Sequence, residues 1–89
     1  MKRLAALATL ALAACPHHPE TLVTLEKLRG QSQAEVGKAL CDACDVSRDG
    51  KRMKCRVYVD PPPDNCGGRH DKMILFFDGG KLATWQYDD

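Results

Sequence analysis

Apolar residues change their spacing along this chain, and each spacing predicts a different element. From Leu4 to Ala14 the chain is uncharged and almost wholly apolar, so it has no polar face and no place as an amphipathic helix of the folded domain. Between Glu20 and Arg29 the apolar positions are Leu22, Leu25 and Leu28, with Val23 beside them. These fall on one side of a helix that can start at Pro19 and that Gly30 stops. Ser32-Gln33-Ala34-Glu35 then reads as a capping box, with the Ser32 hydroxyl accepting from the Glu35 amide and the Glu35 carboxylate reaching back to the Ser32 amide. It predicts a second helix from about Gln33 to Leu40 that buries Val36, Ala39 and Leu40. So short a helix is held by packing rather than propensity, and a connection of two or three residues makes the two helices neighbours.

From Asp45 the period drops to two. Asp49-Gly50 is a strong hairpin signal, because a type I′ turn needs positive φ at both central residues. With those two residues as the loop, Cys44 faces Cys55 in a hydrogen-bonded cross-strand pair. The strand from about Lys51 to Asp60 sets Met53, Cys55, Val57 and Val59 toward a core, and Arg52, Lys54, Arg56 and Tyr58 toward water. The segment from Pro61 to Gly68 is loop. Lys72 to Phe77 is the most apolar run after Ala14, and reads as a central strand covered at least in part on both faces. Asp78-Gly79-Gly80 turns the chain into a last strand, Lys81 to Tyr87, which carries Leu82, Trp85 and Tyr87. The fold class is α+β: two short N-terminal helices on one face of a three- or four-stranded antiparallel sheet.

Charge enters at the N-terminal end. Lys2 and Arg3 precede the apolar stretch of eleven residues, the layout of a secretory signal and well short of the roughly twenty residues that cross a bilayer. The stretch closes on Leu12-Ala13-Ala14-Cys15, a lipobox in which the thiol of Cys15 takes up diacylglycerol before cleavage. The expected organisation is a lipoprotein signal peptide over residues 1–14, a lipidated tether over 15–19 built on Pro-His-His-Pro, and one small domain over 20–89. Membrane attachment is through the N-terminal lipid, on the periplasmic side and at the outer membrane in preference to the inner. Without Lys2 and Arg3 the chain has eleven basic and twelve acidic residues, no imbalance that recruits nucleic acid.

Cys15 aside, four cysteines remain: Cys41, Cys44, Cys55 and Cys66. In an exported chain of this size they read as a disulfide framework. Of the three possible pairings, the hairpin register favours Cys44 with Cys55, which leaves Cys41 with Cys66. The alternative function for the same residues is periplasmic thiol redox chemistry or metal binding. Against the first, Cys41-Asp42-Ala43-Cys44 sits at a helix end beside Asp42 and Asp45, where dipole and charge disfavour a thiolate. Against a thiolate zinc site stand oxidising export and the ten-residue gap between Cys55 and Cys66. His17, His18 and His70 read as solvated tether and loop residues. Ser32 is committed to capping and Ser47 abuts a turn, so no catalytic residue, cofactor, metal or small-molecule substrate is expected and the chain is not read as an enzyme. Trp85 and Tyr87 are the candidate partner-binding residues, with packing under the helices the favoured use of both.

Two stretches, Leu28-Arg29-Gly30-Gln31-Ser32-Gln33-Ala34-Glu35-Val36 with Leu40, and Leu75-Phe76-Phe77-Asp78-Gly79-Gly80-Lys81-Leu82, resemble the BamE-like (SmpA/OmlA) family of small bacterial lipoproteins. The first is similar to that family's glycine and capped-helix opening, the second to its phenylalanine strand, turn and Lys-Leu exit. The chain departs from the pattern where Leu40-Cys41-Asp42-Ala43-Cys44 replaces a Leu-Gly-x-Pro corner, and where Cys55 stands in place of an early strand aromatic. The resemblance implies a helix-helix-sheet domain and a non-catalytic scaffold or accessory role, binding another envelope protein in outer-membrane assembly or maintenance.

A domain of this size is marginal on its core alone. Loops of about 12 and 26 residues closed by disulfides are worth roughly 3 kcal/mol each, and less than the sum when nested. Reduction is therefore expected to unfold the domain, and a melting curve indifferent to dithiothreitol would refute that expectation.

Overall fold

The computed structural model describes residues 17–60 and 66–89. The expected signal segment, Cys15 and the proline-rich start of the loop lie outside the described residues.

Helix α1 spans Pro19–Leu28 and helix α2 spans Gln33–Ala39. In α1 the buried stripe is Thr21, Leu25 and Leu28, with Leu22 partly buried. Val23 is 56% exposed, against the expectation that it lies beside the stripe. It is two residues from both Thr21 and Leu25, and two residues turn a helix by about 200°. In α2 the capping box forms as the sequence predicts: Ser32 N–H donates to Glu35 Oε1 at 3.0 Å, and Glu35 N–H donates to Ser32 Oγ at 3.3 Å. Val36 and Leu40 are buried and Ala39 packs against them.

Helix α2 ends in a Schellman closure, with Asp42 N–H on the Gly37 carbonyl at 2.8 Å. The left-handed position that glycine normally fills is Cys41, at φ 61°, and Asp42 follows at φ 54°. Left-handed backbone costs a residue with a Cβ roughly 1 kcal/mol. This pair of residues turns the chain from α2 into the sheet.

The sheet contains β1 (Cys44–Val46), β2 (Arg52–Tyr58), β3 (His70–Asp78) and β4 (Lys81–Tyr87), antiparallel and in chain order. The β1–β2 register pairs Cys44 with Cys55, as expected, but the turn differs. Only Gly50 has positive φ there, and Ser47 N–H donates to the Arg52 carbonyl at 2.8 Å. Residues 48–51 therefore form a four-residue loop. Asp49 is held out of the type I′ turn by its own side chain, whose Oδ1 accepts from the Ser47 hydroxyl at 2.5 Å and from Lys51 N–H at 2.9 Å. The two-residue type I′ turn occurs instead between β3 and β4, where Gly79 and Gly80 have φ of 61° and 81° and Asp78 pairs with Lys81.

A bulge in β4 completes the inner face. Phe76 pairs with Thr84 and Phe77 with Leu82, leaving Ala83 as the extra residue. Without it Leu82 would point away from Trp85 and Tyr87; with it all three share one face. That face carries Met53, Cys55, Val57, Met73, Leu75, Phe77 and Leu82, which pack with Leu25, Leu28, Val36 and Leu40 of the two helices into one core. The predicted two-layer α+β architecture is thus the one observed, with four strands. Tyr58, expected to face water, is buried. Its ring lies 5.4 Å from that of His70, and its hydroxyl accepts from Arg56 Nε at 3.2 Å. His70, expected in a loop, opens β3.

Three exposed carboxyls sit below their ordinary values: Glu35 through the Ser32 amide and hydroxyl, Asp49 through the Ser47 hydroxyl and Lys51 amide, and Glu26 through Arg29. A carboxyl depressed on folding stabilises the fold above its unfolded pKa, and that contribution disappears as pH falls through the lower folded value. Stability is expected to decline below about pH 4.5, the ordinary glutamate value. Thermal melts across pH should show a shallower acid limb in Glu35→Gln than in the parent.

Candidate functional site

Chemistry-bearing side chains gather in three places: the entry to α1, the corner between α2 and β1, and the open face of the sheet.

At the entry, His18 is the N-cap of α1 with extended backbone and no side-chain cap of its own. The cap comes from across the fold. Asp71 stands at an inward position of β3, and its Oδ2 accepts from His18 N–H at 2.9 Å and from the Thr21 hydroxyl at 2.8 Å. Thr21 is fully buried and Asp71 is 6% exposed. A buried carboxylate there meets both the unpaired amide and the positive end of the helix dipole. The Thr21 oxygen is also 2.7 Å from the His18 carbonyl, so its one proton has two acceptors in reach.

One residue earlier, the His17 ring stacks on Tyr87 with centroids 3.6 Å apart and planes 2° from parallel. Its Nε2 lies 2.9 Å from Asp89 Oδ1. Of the tether expected over residues 15–19, residues 17–19 belong to the fold. His17 and His18 are docked rather than solvated, and Pro19 opens the helix. Composition reports the solvation preference of a segment, whereas here the acceptors that hold it lie more than fifty residues away in sequence. Asp71 did leave a signal in the sequence, since it alternates in phase with Met73, Leu75 and Phe77 and so points at the core.

At the corner, Cys41 is bonded to Cys66 and Cys44 to Cys55. Each cysteine of Cys41-x-x-Cys44 is thus joined to a distant partner, and thiol exchange or zinc binding by these four residues would require them reduced. The Cys44–Cys55 bridge departs from expectation in one respect. Hydrogen bonds run through the flanking positions, Ser47 to Arg52 and Arg56 N–H to the Ala43 carbonyl at 3.0 Å. Cys44 and Cys55 therefore form a non-hydrogen-bonded pair, with Cα atoms 4.1 Å apart. The four-residue loop keeps the register of the two-residue loop but inverts this phase, and side chains approach more closely in the non-hydrogen-bonded phase. Among the described residues, no group of three or more His, Cys, Asp or Glu side chains is placed to hold a metal ion.

Trp85 and Tyr87 are half-buried and pack against the core. The Arg29 guanidinium lies over the Trp85 ring, 4.4 Å from its centroid. Arg29 also donates to Glu26 at 2.8 Å and to the Ala83 carbonyl. Both aromatics thus rim the core, each covered in part by a residue at one end of α1.

The open face of the sheet, opposite the helices, carries Arg52, Lys54 and Arg56 from β2 and Lys72 from β3, all exposed. Ile74 and Phe76 are half-buried among them. A groove of about 200 Å³ is lined by Lys54, Arg56 and Lys72 together with Asp45 and Asp88. No family model, curated protein or solved structure matches the chain.

Replacing Asp71 with Ala strips an acceptor from the buried Thr21 hydroxyl and from the amide of His18. Asp71→Ala is expected to destabilise the domain by roughly 2 kcal/mol, read as a lower urea midpoint at unchanged slope. A variant as stable as the parent would show that the carboxylate does not cap α1.

Proposed function

We propose that this chain is an exported bacterial lipoprotein, anchored through Cys15 and facing the periplasm, that serves as a non-catalytic scaffold or partner-binding accessory of the outer membrane. The observation that carries the reading is the ordered run of Lys2-Arg3, an uncharged apolar stretch and Leu12-Ala13-Ala14-Cys15. The two disulfides are consistent with an oxidising compartment. The BamE-like resemblance supplies the accessory role.

The docking of His17 gives this proposal a geometry. Pro16 alone separates Cys15 from His17, and consecutive Cα atoms are about 3.8 Å apart. A lipid on Cys15 would therefore hold the domain close against the bilayer, with the start of α1 and the end of β4 nearest the headgroups. Two or three acyl chains, each methylene contributing about 0.8 kcal/mol, make such an anchor stable where one chain alone is marginal.

Intact-mass analysis of the membrane fraction is expected to find a processed chain beginning at Cys15 and carrying acyl chains. Cys15→Ser should abolish both the modification and the membrane association. A parent protein recovered soluble, with an unmodified cysteine, would overturn the reading.

A further inference from the structure

The two disulfides stand in unlike surroundings. Cys55 is 4% exposed and belongs to the core, and Cys44 packs against that core. The pair faces itself across the β1–β2 ladder, with Ser47 N–H on the Arg52 carbonyl on one flank and Arg56 N–H on the Ala43 carbonyl on the other. A thiolate from solvent has poor access to that bridge, and thiols parted there would stay opposed and reclose. Cys66, by contrast, is exposed and Cys41 is half-buried. Their bridge joins a helix end to a loop, and among the described residues no backbone hydrogen bond runs between residues 40–43 and residues 66–69. The backbone separates the two bridges further. Cys41 and Asp42 hold φ of 61° and 54°, a region that glycine adopts freely and residues with a Cβ avoid. Closing Cys41 onto Cys66 helps to keep them there. With that bond open, the bend retains the last helical turn, Asp42 N–H on the Gly37 carbonyl at 2.8 Å and Ala43 N–H on the Leu40 carbonyl at 3.1 Å.

We propose that Cys41–Cys66 is a redox-labile latch, which a dithiol reductant opens ahead of Cys44–Cys55, freeing the corner and the loop before β3 while the sheet stays folded. Unfolding then follows the loss of the second bridge. In the opening step a thiolate of the reductant bonds to the exposed Cys66 sulfur as the bond to Cys41 breaks, and the Cys41 thiolate takes a proton from water. The reductant's second thiolate then bonds to its first sulfur and expels Cys66, which is protonated in turn. The dithiol is oxidised to a disulfide, and the protein gains two electrons and two protons. The helix end and Asp42 disfavour a thiolate at Cys41. That slows its departure, and it also restrains the freed thiol from attacking the neighbouring Cys44–Cys55 bridge. The latch rests on the domain alone and is independent of the anchoring at Cys15.

The test exposes the oxidised protein, purified from a bacterial host, to graded dithiothreitol, traps free thiols by alkylation and locates them by peptide mass. Cys41 and Cys66 are expected to become alkylated together, roughly tenfold faster than Cys44 and Cys55. In the singly opened protein, amide hydrogen exchange should quicken at residues 39–43 and 66–69 and stay unchanged along β2, β3 and β4. The Cys41→Ser/Cys66→Ser double variant should fold with Cys44–Cys55 intact and show the same exchange pattern. Asp42→Gly, which meets the left-handed position without a Cβ, should need roughly threefold more dithiothreitol for the same opened fraction. Opening of Cys44–Cys55 first or at an equal rate, loss of sheet protection in the singly opened protein, or a Cys41–Cys44 bond among the products would each overturn the proposal. So would a double variant that does not fold, or an Asp42→Gly variant no harder to open than the parent.

Discussion

The corner between α2 and β1 is the constraint on which the rest of this structure depends. Two successive residues with side chains, Cys41 and Asp42, adopt left-handed backbone there, a conformation each would avoid in an unrestrained chain. They are held by the Schellman bond back to Gly37, by the disulfide from Cys41 itself to the loop before β3, and by the disulfide from Cys44, just after the bend, to β2. Because the bridges end on different elements, the corner ties the end of the helix layer to the long loop and to the sheet. A core of eleven buried side chains among the described residues is small, so restricting the unfolded chain adds stability that burial alone does not provide.

The remaining seams are closed by polar contacts between parts distant in sequence. Asp71 crosses from β3 to cap α1. The turn between the helices is drawn against the edge of β4, with Gly30 N–H on the Leu82 carbonyl at 2.8 Å and Leu82 N–H on the Gln31 carbonyl at 2.9 Å. That turn covers the start of one sheet edge, at Lys81 and Leu82, and the other edge is β1, only three residues long. Short or covered edges limit pairing with other chains.

The two functional proposals use different residues. The proposed membrane attachment would fall on the end where His17, Tyr87 and Asp89 meet, and the proposed latch on Cys41 and Cys66. The aromatic pair Trp85 and Tyr87 belongs to neither in full, since Arg29 and His17 cover part of each. What remains open on them is the rim of a packed core rather than an isolated hot spot.

By itself the sequence determined the elements and their order, because those depend on near neighbours. The period of Met53, Cys55 and Val57, the Ser32–Glu35 box and the paired glycines at 79 and 80 act over a few residues and hold in almost any tertiary setting. It also determined the facing of Cys44 and Cys55, since register follows from counting about a turn. Only the tertiary structure decided what depended on distant partners: the bulge at Ala83 that brings Leu82 onto the core face, and the docking of His17 and His18. Those outcomes turn on acceptors and packing surfaces that exist only once β3 and β4 lie beside α1. A local pattern carries no record of them, except where a residue such as Asp71 breaks the expected polarity of its own strand.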